Sequence, residues 1–250
     1  MKRLGSVFIV FGLGLLASPA VARAQAPGGQ APPPPKNLQI LPKDISRPEL
    51  IARMQGISQA LGVRCQFCHV DDDPGRANDM ASDEKPPKNM ARAMMRFTGD
   101  LNGRLATALG KPAAEITQVQ CATCHRGVPI PKQITEILAE TAAQKGMPAA
   151  ADQYRELRQK YYGGQSYDFS EGALAAFAQR EVQANKPDEA LQYLQLNLEF
   201  YPKSARTYLG MAQAYNRKGD KDQAIKNVEK ALELDPENGQ AKRMLAQLKK

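Results

Sequence analysis

The chain has 250 residues, of which 42% are hydrophobic and 24% are charged. This balance excludes a disordered, a collagen-like or a polytopic membrane protein and predicts one or two globular units. The formal net charge of +8 would suit a nucleic-acid binder. However, the lysines and arginines are scattered rather than gathered in one block, so we expect no nucleic-acid partner. The chain has only four Cys and two His, and all six lie in two short motifs.

The start of the chain predicts a secretory signal peptide over residues 1–24. The basic pair Lys2-Arg3 precedes an uncharged run from Leu4 to Leu16, and Ala22-Arg23-Ala24 has the small residues of a cleavage site. A transmembrane anchor would need about 20 apolar residues, and this run is shorter. We therefore expect a periplasmic or secreted protein, with anchoring by an uncleaved N-terminal segment as the alternative.

Residues 25–40 are rich in proline and glycine and predict an extended linker. The next stretch, residues 41–143, alternates amphipathic patterns with loops and contains both cysteine motifs. Two helices are predicted there, each before one motif: one ends at Gly62, and the other begins after Pro86-Pro87 and ends near Gly110. Their apolar residues, which we expect to face inward, are Leu50, Met54, Ile57 and Leu61 in the first helix and Met90, Met94, Phe97, Leu101 and Leu105 in the second. Before the second motif, Ile116-Thr117-Gln118-Val119 favours a short extended piece.

The C-terminal part contains an internal repeat. Ala190 recurs as Ala224 and Pro202 recurs as Pro236, each 34 residues later, which is the tetratricopeptide period. We predict helical hairpins and a capping helix over residues 170–250, joined to the cysteine-containing part by a connecting helix or linker over residues 144–169. The further positions that match between the two units are Leu174, Phe177, Ala178 and Leu194 in the first and Tyr208, Met211, Ala212 and Val228 in the second.

The two cysteine motifs read Cys65-Gln66-Phe67-Cys68-His69 and Cys121-Ala122-Thr123-Cys124-His125. Both are C-x-x-C-H, the attachment sequence of c-type haem. Two thiols three positions apart can each add to one vinyl group on the same edge of a porphyrin, and the adjacent histidine then reaches the iron. The motifs therefore predict two covalently bound c-type haems, attached through Cys65, Cys68, Cys121 and Cys124, with His69 and His125 as axial ligands.

Two other readings of the cysteines fit less well. A structural zinc site made of two C-x-x-C pairs usually has about 15 to 20 residues between the pairs. Here 52 residues separate Cys68 from Cys121, and both histidines would have no role. A thioredoxin-like redox pair would need a βαβ context, and strand patterns are lacking in this region.

Methionine is the expected sixth ligand of each iron, because both histidines are already used. Met54 precedes Cys65 by 11 residues and is our choice for the first iron. Met94 is our choice for the second iron. Met90 and Met95 remain alternatives to Met94, and filling a protein core is the common role of any methionine.

The stretch from Leu41 to Pro131 resembles the cytochrome c subunit of photosynthetic reaction centres. The resemblance is carried by Met54 through Leu61-Gly62-Val63-Arg64 and the first motif, by Ala91-Arg92-Ala93-Met94 through Asp100-Leu101-Asn102, and by Val119-Gln120 with the second motif and Arg126-Gly127. It implies a haem at each C-x-x-C-H motif with a methionine from a preceding helix as sixth ligand, in agreement with Met54 and Met94. The photosynthetic members carry more haems and often a lipid anchor, so we interpret this chain as a shortened dihaem relative with a repeat tail.

These features predict a mostly α-helical protein, with a loop-rich dihaem cytochrome domain followed by tetratricopeptide hairpins. We expect electron transfer rather than an enzymatic reaction, no small-molecule substrate, and a redox partner protein docked by the repeats, with peripheral membrane association also open. Two alternatives remain. The repeats would be a binding scaffold with structural haems, or the protein would be a peroxidase-like dihaem enzyme with an open iron.

Overall fold

The computed structural model describes residues 34–70 and 79–250, and the predicted signal peptide lies outside them. The described part contains ten α-helices and two short 3₁₀ turns, Cys65–Phe67 and Ala113–Glu115, and it has no strand beyond a single bridge between Val70 and Asp79. The helices are α1 (Arg47–Leu61), α2 (Pro86–Leu109), α3 (Cys121–His125), α4 (Ile134–Lys145), α5 (Met147–Tyr161), α6 (Glu171–Gln183), α7 (Pro187–Phe200), α8 (Ala205–Lys218), α9 (Lys221–Leu234) and α10 (Gly239–Leu248). The mostly α prediction is confirmed.

The first two helices end where the sequence predicts, and α2 begins at the Pro86-Pro87 pair rather than after it. The Ser46 hydroxyl accepts a hydrogen bond from the Glu49 N–H at 3.3 Å and caps the start of α1. Gly62 ends this helix with a positive φ of 65°, a conformation that favours glycine. Pro86 and Pro87 begin α2, because proline fits the first turn of a helix, and Gly110 ends it at a φ of 61°.

The residues between α2 and α3 are extended but unpaired. Ile116, the first residue of the predicted extended piece, and Gln120, which follows its last residue, both have extended backbone angles. No strand pairs with this segment among the described residues, so it leads into α3 as a single extended connection.

The helices from α6 onward follow the predicted period. The starts of α6 and α8, Glu171 and Ala205, are 34 residues apart, and so are the starts of α7 and α9. Small residues allow the helices of each hairpin to approach closely, and those fully buried in the hairpins include Ala178, Ala190, Ala212 and Ala224. The tetratricopeptide hairpins and the capping helix are therefore present as predicted.

Most of the hydrophobic core lies in the C-terminal half. One cluster of buried side chains runs through α4 to α8, and a second joins α8, α9 and α10. Leu138 of α4 and Tyr154 of α5 are fully buried in the first cluster, where the Tyr154 ring lies 5.6 Å from Phe169 and 5.5 Å from Phe200. Thus α4 and α5 share their core with the first repeat. In residues 34–70 and 79–250 no helix is both long and apolar enough to span a membrane.

Candidate functional site

The first motif forms a tight turn directly after α1. The N–H groups of Cys68 and His69 both donate to the Cys65 carbonyl, at 3.2 and 2.9 Å. The thiol of Cys65 is exposed and that of Cys68 is half-buried. Burial raises the pKa of the Cys68 thiol, although the nearby ammonium groups of Lys85 and Lys88 oppose this shift.

The ring of His69 is held by a backbone carbonyl. Its Nδ1 lies 2.9 Å from the carbonyl oxygen of Met80. Because a carbonyl can only accept a hydrogen bond, Nδ1 must carry the hydrogen, which puts the lone pair of the neutral ring on Nε2. This is the tautomer that a histidine needs in order to bind a metal through Nε2, and such a second hydrogen bond is the usual companion of a metal-ligating histidine.

The second motif forms the short helix α3. The Gln120 N–H donates to the Thr123 hydroxyl at 3.0 Å, which caps its start. The ring of His125 is held in the same way as that of His69, because its Nδ1 lies 3.0 Å from the Val128 carbonyl oxygen. Both predicted axial histidines therefore have the same tautomer and the same kind of support.

Helix α2 supports both motifs through side chains on its polar side. Near its start, Lys85 donates to the Gln66 carbonyl within the first motif. Further along, the Asn102 side chain makes two hydrogen bonds with the backbone of Val119, donating to its carbonyl at 2.9 Å and accepting from its N–H at 2.8 Å. Since Val119 lies two residues before Cys121, this pair of bonds fixes the entry to the second motif.

The two motifs are brought together by contact between two glycines. Gly62 lies just before the first motif and Gly127 just after the second, and the Gly127 N–H donates to the Ala60 carbonyl at 2.8 Å. A Cβ added at Gly62 would overlap the Gly127 carbonyl, with the carbonyl carbon only 2.8 Å away. This close approach packs α1 against α3. Ser166, on the segment after α5, adds a hydrogen bond of 2.7 Å to the Arg126 carbonyl.

The methionines lie on helices that are attached to the motifs in this way. Met54 is half-buried on α1, and Met94 is 40% exposed on α2. The apolar stripe of α2 does not face a protein core, contrary to expectation, since Met90 is 65% and Phe97 58% exposed. No described element covers this side, and the buried residues of α2 are instead Lys88 and Arg92. Met95 is half-buried.

The surface around the motifs fits a large, flat apolar group such as a porphyrin. Between Lys36 and Pro131 the described residues include only four buried hydrophobic side chains, too few for a protein core. All large exposed apolar side chains of the described residues except Tyr162 lie in the same stretch, between Ile51 and Ile130. A porphyrin would cover this surface and so take the place of the missing core. No three His, Cys, Asp or Glu side chains of the described residues come together as a metal-binding group.

A cluster of charged residues lies next to the first motif. Asp83 accepts hydrogen bonds from Asn37 at 2.9 Å and from Arg92 at 2.8 Å, and its oxygen lies 3.3 Å from the Lys88 ammonium. The Asn37 amide, together with the Arg92 and Lys88 cations, lowers the pKa of Asp83 to about 2, against the opposing effect of desolvation. Asp83 is therefore an anion at any physiological pH.

The sequence analysis did not identify these supporting residues. Lys88 and Arg92 are four positions apart and so share a side of α2, which was the available signal for the charged cluster. Asn102 was part of the quoted resemblance but had no assigned role. The contact of Gly62 with Gly127 left no local pattern, because it joins residues far apart in the chain.

Comparison with known proteins places these motifs in a wider group. The sequence model of the family described as photosynthetic reaction centre cytochrome C subunit matches residues 19–191, and the tetratricopeptide repeat model matches residues 205–238. Cytochrome c-554 of Chloroflexus aurantiacus is 40% identical over 93 residues, which are 37% of this chain and 20% of that protein.

Two reaction centre subunits are also similar. The photosynthetic reaction center cytochrome c subunit of Rubrivivax gelatinosus is 29% identical over 106 residues, or 39% of this chain and 28% of that protein. Its counterpart in Thermochromatium tepidum is 33% identical over 111 residues, or 44% of this chain and 24% of that protein. The chain thus spans 20 to 28% of the length of these three relatives. The family match covers well over half of this chain and includes both C-x-x-C-H motifs, so the chain belongs to the family of photosynthetic reaction centre cytochrome c subunits.

Proposed function

We propose that this protein is an exported dihaem cytochrome that transfers electrons between protein partners. Membership of the family implies covalently bound c-type haem and electron transfer. The number of two haems, the ligands and the location are our proposal. The observation that carries it is that both histidines are supported in the same way. The Nδ1 atom of each ring lies within hydrogen-bond distance of a backbone carbonyl, at 2.9 Å for His69 and 3.0 Å for His125.

The residues of each motif have distinct roles in this proposal. The thiols of Cys65 and Cys68 would hold one porphyrin by thioether bonds, and those of Cys121 and Cys124 the other. His69 and His125 would ligate the irons through Nε2. When bound, each haem supplies an iron that cycles between the ferrous and ferric states. The apolar side of α2 would cover part of the porphyrin surface and limit access of water.

Met54 and Met94 would be the sixth ligands. Both lie on helices that hydrogen bonds and packing tie to the motifs, so their positions are set before a haem is bound. A methionine on the open side of each iron would leave no site for a substrate, which favours an electron carrier over a peroxidase-like enzyme. The close approach of Gly62 to Gly127 would keep the two haems near enough for an electron to pass between them.

The repeats would dock the redox partner. Tetratricopeptide arrays present an extended surface to other proteins, and here the core of α4 to α8 makes that surface continuous with the segment that supports Arg126. The domain boundaries at residues 143 and 169 remain predictions. Export would follow from cleavage after Ala24, so that the mature protein would begin at Gln25.

The test is to produce the full chain in a bacterium with a c-type haem maturation system and measure its intact mass and optical spectra. We expect the mass of a chain from Gln25 to Lys250 with two covalent haems, both low-spin. Met54→Ala and Met94→Ala should each remove the methionine ligation signal of one haem. Met95→Ala on the same helix is the matched control and should change neither.

Other outcomes would contradict particular parts of the proposal. A high-spin iron in the unmutated protein would favour the enzyme, and loss of ligation in Met90→Ala or Met95→Ala would reassign the second ligand. A protein that lacked covalent haem would overturn the whole proposal.

A further inference from the structure

A buried lysine shares the backbone carbonyl that holds His69. The Lys88 ammonium donates to the Met80 carbonyl oxygen at 2.9 Å, and the same oxygen accepts the Nδ1 hydrogen of His69. Lys88 is only 8% exposed, and its ammonium also donates to the Ser82 carbonyl at 2.6 Å. The cation is thus fixed one hydrogen-bond acceptor away from the imidazole ring.

Lys88 shares its carboxylate partner with a second cation. Arg92 is also 8% exposed, and Asp83 is the anion that pairs with both cations, at 3.3 Å from Lys88 and 2.8 Å from Arg92. Two largely buried cations therefore face one carboxylate. Among these three side chains, one positive charge is therefore left over.

The second motif has no equivalent of this arrangement. His125 donates to the Val128 carbonyl at 3.0 Å, and no side-chain cation among the described residues donates to that carbonyl. The two histidines have the same tautomer and the same type of acceptor, and among the described contacts an ammonium shares the acceptor of His69 alone.

Two physical effects of the lysine act in the same direction. A carbonyl that already accepts from an ammonium is a weaker acceptor for the histidine N–H, so the imidazole gives less electron density to the iron. A fixed positive charge close to the site also favours the ferrous state, which carries one positive charge fewer than the ferric state. Both effects raise the reduction potential.

We propose that Lys88 is a positioning residue that raises the reduction potential of the haem ligated by His69, with Asp83 moderating its charge. This inference rests on the proposed function, because it requires a haem at the first motif. It would bias an electron that is shared between the two haems toward the first one.

The experiment is an equilibrium redox titration of the full dihaem chain, with the two haems resolved by their optical and electron paramagnetic resonance signals. Lys88→Met should lower one of the two midpoint potentials by about 59 mV, which is about a tenfold change in the one-electron equilibrium constant. The other midpoint potential should not change. Lys88→Arg keeps the charge and should have a much smaller effect. Asp83→Asn removes the anion and should raise the same midpoint.

Lys88→Met and Asp83→Asn should shift the midpoint potential in opposite directions. This separates an electrostatic role from a structural one, because general loosening of the site would shift the midpoint potential of both variants in the same direction. Lys230→Met, which removes an exposed lysine from the repeats, is the control for net charge and should move neither midpoint. If Lys88→Met does not retain its haem, Asp83→Asn and Lys88→Arg still decide the matter.

Unchanged midpoints in Lys88→Met, equal shifts of both haems, or shifts of the same sign in Lys88→Met and Asp83→Asn would overturn this inference and leave the proposed function intact. Absence of two covalent haems in the unmutated protein would instead overturn the proposed function. The double variant Cys121→Ala with Cys124→Ala removes the second attachment site. If Lys88→Met still shifts the midpoint potential in that background, the shifted potential belongs to the first haem.

Discussion

At the scale of single residues, Gly62 combines two separate requirements for glycine. Its φ of 65° is unfavourable for any side chain, and a Cβ there would overlap the Gly127 carbonyl. Gly110 has a similar φ of 61° but has nothing within 4 Å of its Cβ position. The two glycines therefore separate the cost of the backbone angle from the cost of the contact.

We expect Gly62→Ala to lower the free energy of unfolding by about 2 to 4 kcal/mol, since left-handed strain and overpacking add. Gly110→Ala should cost about 1 to 2 kcal/mol from strain alone. Urea denaturation of the haem-loaded protein, with both variants measured side by side, checks the difference. Equal losses would mean that the contact between the motifs contributes nothing to stability.

The sequence predicts the chemistry of single residues but not the groups that support them. The spacing of Cys65, Cys68 and His69 predicts a haem-attachment site wherever it occurs, because the geometry is local. The carbonyls of Met80 and Val128 that hold the histidines have no side-chain signature, so a sequence cannot indicate them. Lys88 looks like an ordinary surface lysine in the sequence, and only the fold buries it.

At the scale of elements, Asn102 ties α2 to the second motif. Its two hydrogen bonds to Val119 fix the backbone two residues before Cys121. Asn102→Ala should lower the free energy of unfolding by about 1 to 3 kcal/mol, because two hydrogen bonds are lost and the Val119 backbone loses its partner.

The same variant should broaden or shift the optical bands of the second haem and leave the first unchanged. Thr107→Ala on the same helix is the matched control, since the Thr107 hydroxyl donates to the Gly103 carbonyl within α2, at 3.0 Å. If both haems changed equally in Asn102→Ala, the effect of Asn102 would not be specific to the second motif.

Helix ends and the repeat period were predictable because their causes are local. Glycine at a positive φ ends α1 and α2, and alanines 34 residues apart mark the hairpins. The direction of the apolar stripe on α2 was not predictable, since periodicity shows only that one side of a helix is apolar. In the structure that side is exposed, and the opposite side is occupied by Lys88 and Arg92.

At the scale of the whole molecule, the hairpins depend on their neighbours in sequence order. Leu138 and Tyr154 of the α4–α5 hairpin share a core with Leu174 and with Phe200 of the first repeat, whereas α10 packs only at the far end. In such arrays each unit is stabilised mainly by the next one.

Removal of residues 205–250 should therefore lower the Tm but leave α4 to α7 folded, while removal of residues 171–250 should unfold α4 and α5 as well. Hydrogen exchange of the amides in residues 134–161 shows whether α4 and α5 are folded in each of the two truncated chains. Protection of those amides in the shorter chain would show that the α4–α5 hairpin is stable without the repeats.

The uneven burial along the chain also bears on biosynthesis. The helices from α4 onward carry their own core, so they can fold before any haem is attached. The described residues before residue 132 include few buried side chains, and Cys65 and Cys124 are exposed. A newly made chain would thus keep its haem-attachment residues within reach of a maturation enzyme while its other half is already protected from proteases, and covalent attachment would be the last step of folding.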